Sequence, residues 1–269
     1  MADYTLDDLL YLMSRLRDPK DGCPWDRVQD FSTIVPHTIE ESYELADAIE
    51  QGDMQHIHEE LGDVLFQVVF YSQLGKEQGS FDFASVISNL VAKLVRRHPH
   101  VFPDGTLQSR VGEQTKDTEA IKQTWETIKT AEREGKQQQS VLDDVPSAFP
   151  ALIRATKLQK RAAQTGFDWD NIDGVLAKLK EEVDELIEAR EQQSQQQIEA
   201  ELGDVLFSVV NLSRHLKVDA ESSLRATNKK FENRFQYIES VLQSRGTTAE
   251  QSSLAEMDTL WDEAKAKGL

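Results

Sequence analysis

Apolar residues along the chain recur every three or four positions, which is the spacing of helices that bury one face. One stripe of this kind lies in the second half of the chain. It consists of Ile198, Leu202, Val205, Leu206, Val209 and Leu212. We interpret this stripe as a core face. Because β-branched residues rarely alternate with polar ones, the pattern predicts an all-α protein without strands.

Motifs in the first half of the chain return in the same order in the second half. LGDVLFQVV at residues 61–69 becomes LGDVLFSVV at 202–210, GCPWD at 22–26 becomes GFDWD at 166–170, and EESYE at 40–44 becomes EEVDE at 181–185. A fixed order of repeated motifs indicates a duplicated domain. We therefore predict tandem all-α helical-bundle domains at residues 1–135 and 153–269. Glutamines and prolines mark a linker at 136–152.

Carboxylates interrupt the apolar pattern at matching positions of both copies. In the second copy Glu182 and Glu185 share one helix flank, and Glu201 and Asp204 share a flank of the next helix. The matching residues of the first copy are Glu41, Glu44, Glu60 and Asp63. A single motif of this kind is usually a solvated acidic face. The same spacing in both copies, next to apolar residues, instead favours four carboxylates that meet at one place.

Carboxylates that meet in an apolar setting must either take up protons or bind a cation. All four candidates are hard oxygen ligands, and no histidine stands in the ExxH position of di-iron sites. Cys23 has no second cysteine with which to bind zinc. The ligand set favours Mg2+, with Mn2+ as a substitute.

Basic and aromatic pairs also recur. They are Lys230 with Arg234 and Trp261 with Lys265 in the second copy, and Lys93 with Arg97 and Trp125 with Lys129 in the first. A basic pair is usually surface decoration, but its recurrence in a chain of net charge -18 favours contact with a polyphosphate. An indole beside a lysine can stack on a nucleobase, although tryptophan is as often a core residue. We expect the repeated Trp25 and Trp169 to be packed rings ahead of the acidic helices.

The charge and composition exclude several partners. A net charge of -18 disfavours a nucleic-acid polymer, since affinity for phosphate backbones depends on clustered Lys and Arg. No apolar run reaches the roughly 18 to 20 residues that span a bilayer, so no membrane association is expected. The single cysteine fits a reducing cytoplasm.

Taken together, the EExxE and ExxD motifs, the KFENRF segment at 230–235 and the terminal WDEAK at 261–265 resemble the MazG-type nucleoside triphosphate pyrophosphohydrolases. The resemblance covers nearly the whole chain, including the tandem arrangement. It implies an all-α NTP pyrophosphatase fold in which helices pair across a homodimer. It also implies Mg2+-dependent hydrolysis of NTPs and dNTPs to the monophosphate and pyrophosphate.

The resemblance also implies roles for individual residues of the second copy, which carries the activity in long family members. Metal ligands fall on Glu182, Glu185, Glu201 and Asp204, and phosphate or nucleotide contacts fall on Lys178, Glu181, Lys230, Arg234, Trp261 and Lys265. Glu181 is the candidate for orienting or deprotonating the attacking water. The first copy has His37 where the second has Lys178, and we expect it to be degenerate or regulatory.

Two other functions stay open at this point. One is a narrow-specificity enzyme related to dUTPases and dCTPases, which would act on a single nucleotide. The other is a non-catalytic module in which bound nucleotide regulates partner helices. The sequence leaves open whether the α or the β phosphorus is attacked.

Overall fold

The computed structural model describes residues 3–110, 117–134, 140–192 and 194–269. Within these ranges the chain forms helices and no strand, which confirms the predicted all-α class. No helix in the described ranges combines the length and the apolar character needed to cross a bilayer. The chain divides into two compact units, Met1–Gly135 and Lys136–Leu269, called here the first unit and the second unit.

The helices described in the first unit are α1 (Leu6–Leu16), α2 (Pro24–Arg27), α3 (Phe31–Gln51), α4 (Met54–Glu77), α5 (Phe83–Arg97) and α6 (Thr118–Glu134). Helices α3 and α4 form a hairpin, because the chain reverses at Gly52, whose φ of 72° lies in the left-handed region that favours glycine. The Asp53 carboxylate then caps α4 by accepting from two backbone N–H groups. This hairpin carries the acidic motifs of the first copy.

The core of the first unit lies where α1 packs against α3 and α4. Its buried side chains are Met13, Ile34, Val69, Phe70 and Leu74. Phe70 is 1% exposed and Met13 is fully buried. At these two residues, α1 therefore covers one side of α4.

The helices described in the second unit are α7 (Ala151–Ala163), α8 (Ile172–Glu191), α9 (Gln195–His215), α10 (Ala220–Ser244) and α11 (Leu254–Ala266), with a short 3-10 turn at Ala249–Gln251. Helices α8 and α9 repeat the hairpin of α3 and α4. The Asp219 carboxylate caps α10 by accepting from the Ser222 N–H at 2.8 Å. The main buried cluster of this unit joins α10 to α11 through Ile238, Leu242 and Leu260.

Residues 140–150, which fall in the predicted linker, form turns that rest on α7. The Arg161 guanidinium of α7 donates hydrogen bonds to the carbonyls of Val141, at 3.2 Å, and of Asp143. Residues 136–139 lie outside the described part of the chain. The described portion of this segment is therefore held by the second unit.

The predicted core stripe of α9 is not the core of its own unit. Leu202, Leu206 and Val209 are 47%, 51% and 40% exposed, whereas Ser208 and Val210 are buried. The matching residues of α4 behave alike, since Leu61, Leu65 and Val68 are 52%, 40% and 40% exposed. Helical periodicity identifies an apolar face, but it does not say whether the same unit covers that face.

The prediction of packed rings at Trp25 and Trp169 is also wrong, because the two residues are 51% and 46% exposed. Each ring instead touches the start of a hairpin. Trp25 meets the ring of His37 edge-on, with centroids 5.6 Å apart. Trp169 lies so close to Gly174 that a Cβ there would be 2.8 Å from the indole.

Phe70→Ala tests the core of the first unit. Because Phe70 is 1% exposed, its removal is expected to lower the free energy of unfolding by about 3–5 kcal/mol, measured by urea denaturation. Phe167→Ala is the matched control. Phe167 is 83% exposed, so the same change there should stay within about 0.5 kcal/mol of the parent. Equal effects of the two changes would contradict this description of the core.

Candidate metal centre

The hairpin of the second unit brings three of the four predicted carboxylates together. Glu182 comes from α8, and Glu201 and Asp204 come from α9. One oxygen of each lies within 4.8 Å of the other two. Glu182 is 6% exposed, Glu201 is half-buried and Asp204 is exposed. The cluster is thus anchored in the hairpin at one end and open at the other.

The hairpin of the first unit builds the same cluster. Glu41 of α3 and Glu60 and Asp63 of α4 also place one oxygen each within 4.8 Å of one another. Glu60 is 7% exposed, which matches Glu182 as the buried member. The duplicated motifs therefore give duplicated geometry.

The fourth predicted carboxylate of each copy, Glu185 or Glu44, falls outside these groups. Glu185 is still affected by the cluster. Its partial desolvation, followed by the charge of Glu182, raises its pKa above the usual range. Desolvation and the neighbouring charge of Asp63 raise the pKa of Glu41 in the same way. In both clusters, the negative charge of the carboxylates thus exceeds the positive charge that surrounds them.

Lys178 is the cation closest to the cluster of the second unit. Its Nζ lies 2.9 Å from Glu182 Oε1 and 3.0 Å from Glu181 Oε1. These two hydrogen bonds hold the pKa of Lys178 above its usual range, so the ammonium stays charged. One positive charge against three clustered carboxylates leaves an excess of negative charge on oxygen ligands only. That composition fits a hard divalent cation.

The first unit surrounds its cluster with histidines instead. His37, at the position of Lys178, approaches Glu40 at 3.6 Å. His56, at the position of Gln197, lies 2.9 Å from Glu60 Oε1. The other oxygen of Glu60 is buried and has no hydrogen-bond partner within the described residues. Both clusters consist of carboxylates, but the basic side chains beside them differ: histidines in the first unit and Lys178 in the second.

Lys178 and Glu181 lie on α8, and the other predicted phosphate and nucleotide residues of the second unit lie on α10 and α11. Arg234 donates from Nε to the Leu269 carbonyl at 2.7 Å, and its guanidinium lies 5.2 Å from the centroid of Trp261. Lys265 pairs with Asp262 at 2.9 Å, and Lys230 is exposed. Among the residues that the structure describes, no ion pair joins Lys230, Arg234 or Lys265 to the carboxylate cluster.

The matching residues of the first unit are arranged differently. Both Arg96 and Arg97 bind Glu132 of α6, at 2.6 Å and 2.5 Å, and they lower the pKa of that carboxyl to about 2. Lys93 is exposed, and the ring of Trp125 lies 6.4 Å from that of His98. The side chain of Lys129 lies outside the described residues.

Sequence reasoning missed a charged network next to the hairpin of the second unit. Asp168 of the GFDWD motif accepts from Arg214 Nη1 at 2.8 Å and lies 3.0 Å from His215 Nε2. Arg214 holds the pKa of Asp168 far below its usual range. A comparison of the copies could have found it, because Pro24 and Gln73 stand at these positions in the first copy.

The chain thus consists of two tandem helical units, each with three carboxylates clustered in a helix hairpin. This arrangement defines a class of all-α proteins that can hold a divalent cation. The family model of the MazG nucleotide pyrophosphohydrolase domain matches residues 29–102 and 171–238, which contain both hairpins. The chain belongs to the MazG family, as its motifs predicted.

Two relatives that match this chain over nearly their whole length agree with this assignment, and a third, uncharacterized one matches over half of its own length. The Nucleoside triphosphate pyrophosphohydrolase of Escherichia coli K12 is 46% identical over 262 residues, 97% of this chain and 97% of that protein. The Nucleoside triphosphate pyrophosphohydrolase/pyrophosphatase MazG of Thermotoga maritima is 42% identical over 264 residues, 98% and 97% of the two chains. The Bacillus subtilis protein YabN is 42% identical over 94% of this chain, which spans 50% of YabN.

Glu185→Gln tests the crowding of charge in the second unit. A raised carboxyl pKa in the folded state means that the charged form destabilises the fold, and this cost is absent well below the ordinary pKa of 4.5 and present above it. Without divalent cations, the substitution should therefore raise the melting temperature at pH 7, and the difference should disappear below about pH 4. Glu188→Gln, an exposed carboxylate on the same helix, is the control and should change little. A pH-independent gain from Glu185→Gln would contradict this account.

Proposed function

We propose that the second unit is the catalytic domain of this nucleoside triphosphate pyrophosphohydrolase, and that it converts NTPs and dNTPs with water to the monophosphate and pyrophosphate. The observation that carries the proposal is the cluster of Glu182, Glu201 and Asp204 beside the charged Lys178. The relatives that match nearly the whole chain bear this activity in their names.

Glu182, Glu201 and Asp204, with Glu185 at the edge of the cluster, are the residues that would hold Mg2+. When bound, Mg2+, or Mn2+ in its place, supplies a Lewis acid that withdraws charge from the phosphate oxygens. The buried Glu182 fixes the cluster to α8. The exposed Asp204 leaves the opposite side of the cluster open to a substrate.

Glu181 is our candidate for orienting the attacking water and taking its proton. It is exposed, it stands next to Glu182 in the chain, and it binds Lys178 at 3.0 Å. The hydrogen bond from the Lys178 ammonium fixes the direction of the Glu181 carboxylate. A carboxylate held in this way beside the cluster can accept a proton without being a ligand itself.

Positive charge for the phosphates would come from Lys178, Lys230, Arg234 and Lys265. Lys178 already touches the cluster, whereas Lys230 is exposed and free of ion pairs within the described residues. The Arg234 guanidinium, 5.2 Å from the centroid of the Trp261 ring, is a planar donor suited to phosphate oxygens. These positive charges would then stabilise the pyrophosphate as it leaves.

For the first unit we propose a regulatory or structural role rather than catalysis. Its cluster has His56 bound to the buried Glu60, and its Arg97 is neutralised by Glu132. His37 replaces the permanently charged lysine. The carboxylates remain, but the surrounding positive charge that a polyphosphate needs is reduced.

Two further features of the chain support a cytoplasmic enzyme that acts on small nucleotides. The net charge of -18 disfavours a nucleic-acid polymer as partner. The single cysteine suits a reducing compartment.

We also propose that the enzyme is a homodimer, with the exposed stripes of α4 and α9 covered by a second copy. Both hairpins leave the same apolar positions open, and α8 adds the exposed Val183 and Ile187. A Cβ at Gly62 or Gly203 would meet nothing within 4 Å, so another helix can approach closely there. Apolar patches of this kind on a folded chain mark interaction surfaces.

Glu182→Ala and Asp204→Ala test which unit is catalytic. Each should lower pyrophosphate release by at least about two orders of magnitude across a panel of NTPs and dNTPs, because the charge of the transition state loses its counterion. The matched controls are Glu60→Ala and Asp63→Ala in the first unit, which should keep most of the activity. The assignment would be reversed if the first-unit changes abolished turnover and the second-unit changes did not.

Leu206→Glu tests the homodimer. A buried charge in the interface should shift the mass measured by light scattering from twice the chain mass of 30.5 kDa to the single chain mass. Leu254→Glu provides the control, because Leu254 is 80% exposed and lies outside the stripe. A parent protein of single chain mass would overturn the proposal, and so would a Leu206→Glu protein of unchanged mass.

A further inference from the structure

Arg234, which the proposed function assigns to the phosphates, is held by two neutral groups. Its Nε donates to the Leu269 carbonyl at 2.7 Å, and its guanidinium lies 5.2 Å from the centroid of the Trp261 ring. Within the described residues, no hydrogen bond or ion pair involves its Nη groups. Neither neutral partner cancels the charge of the guanidinium. The arginine is therefore oriented, while its charge and its terminal N–H groups stay free for an anion.

The carbonyl that holds this arginine belongs to a left-handed turn at the end of α11. Gly268 has a φ of 81°, which lies in the left-handed region that favours glycine. Its N–H donates to the Lys265 carbonyl at 3.0 Å, and the Leu269 N–H donates to the Ala264 carbonyl at 3.2 Å. This pair of bonds is the Schellman arrangement, which ends a helix and reverses the chain. Residues 267–269 are called here the α11 turn.

A second contact fixes the α11 turn to α10. Lys267 Nζ donates to the Tyr237 hydroxyl at 2.7 Å and lies 4.3 Å from the centroid of the same ring. The Tyr237 hydroxyl in turn donates to Glu263 Oε2 of α11 at 3.2 Å. Tyr237 follows Arg234 by three residues, so the two side chains are neighbours on the surface of α10. The α11 turn therefore contacts α10 at two adjacent positions.

The first unit holds its matching arginine with a carboxylate instead. Counted from the repeated tryptophans of α6 and α11, Gly268 stands at the position of Glu132. Arg97 donates to Glu132 Oε2 from Nε at 3.2 Å and from Nη2 at 2.5 Å. Helix α6 continues to Glu134, so it supplies a side chain where α11 supplies a backbone carbonyl. Both arginines are thus oriented, by a charged acceptor in the first unit and by a neutral one in the second.

We propose that the α11 turn positions Arg234 for the phosphates of the substrate, and that Lys267 and Tyr237 are positioning residues that hold the turn in place. The inference rests on the proposed function, which assigns Arg234 to the triphosphate. An arginine that is ordered before the substrate arrives loses less side-chain entropy on binding. A neutral carbonyl orders it without competing for its charge, whereas a carboxylate occupies the same donors as a phosphate.

Lys267→Ala tests the proposal, since it removes both contacts with Tyr237. Lys267 is exposed, so its truncation leaves the fold intact. KM for ATP should rise about two- to tenfold while kcat changes less, because a loss of preorganisation weakens ground-state and transition-state binding alike. The inhibition constant of inorganic tripolyphosphate, which offers phosphates alone, should rise by the same factor. Lys76→Ala removes the same charge from an exposed position of the first unit and is the control.

Tyr237→Leu repeats the test without a change of charge. It removes the hydroxyl and the ring that hold Lys267, so KM for ATP should rise by a similar factor. Lys267→Arg, which keeps a cation and a donor over the ring, should restore KM to near the parent value. An unchanged KM in either Lys267→Ala or Tyr237→Leu would overturn the inference.

Arg234→Ala shows whether the turn acts through the arginine. In this background Lys267→Ala should have no further effect on KM, because the side chain that the turn positions is absent. An equal rise of KM in both backgrounds would mean that Lys267 acts independently of Arg234, and the inference would be wrong.

The same variants separate this inference from the function on which it rests. If Arg234→Ala raises KM for ATP and Lys267→Ala does not, the proposed phosphate site stands and positioning by the turn is wrong. If Arg234→Ala leaves KM unchanged, the phosphate role of Arg234 in the proposed function is itself wrong, and the inference fails with it.

Discussion

Repulsion among clustered carboxylates is the constraint on which the rest of the structure depends. Each hairpin holds three carboxylate oxygens within 4.8 Å of one another, and one of the three side chains is almost fully buried. Like charges at this separation, partly out of water, oppose folding unless positive charge compensates them. Desolvation, followed by the charge of a neighbouring carboxylate, raises the pKa of Glu41 and of Glu185. Each hairpin thus presents an oxygen-only cluster that can hold a divalent cation.

The two copies meet this constraint in different ways, and the difference supports the separate roles proposed for them. In the second unit Lys178 spans Glu181 and Glu182, which keeps a permanent charge beside an open cluster. In the first unit the neighbour of the buried Glu60 is His56, and the arginine matching Arg234 is bound to Glu132. Duplication preserved the carboxylates of both hairpins, whereas the positive charge around them diverged. A site for a polyphosphate needs both the carboxylates and the positive charge around them.

Much of the fold and of the site could be predicted from the sequence because both depend on local spacing. The all-α class follows from apolar periodicity, and the clustering of Glu182, Glu201 and Asp204 follows from repeated motifs on neighbouring helices. Exposure could not be predicted, since the stripe of Leu202, Leu206 and Val209 has the pattern of a core face whether its own unit or another body covers it. The contact between Asp168 and Arg214 joins residues far apart in the chain, so helical spacing does not predict it, and only the difference between the copies at these two positions points to it.

The exchange of Phe70 for Asn211 at the matching position of α9 shows what such distant contacts contribute. The first unit fills the space beside its hairpin with apolar side chains and gains the stability of a packed core. The second unit gives up that burial, leaves the rings of Phe167, Trp169 and Phe207 exposed and tolerates the unpaired Gln159 Oε1. Buried acceptors without a donor occur in both units, since within the described residues the first unit leaves Glu60 Oε2 and Gln67 Oε1 without a hydrogen-bond partner. The loss of packed core thus falls in the unit whose acidic cluster retains Lys178.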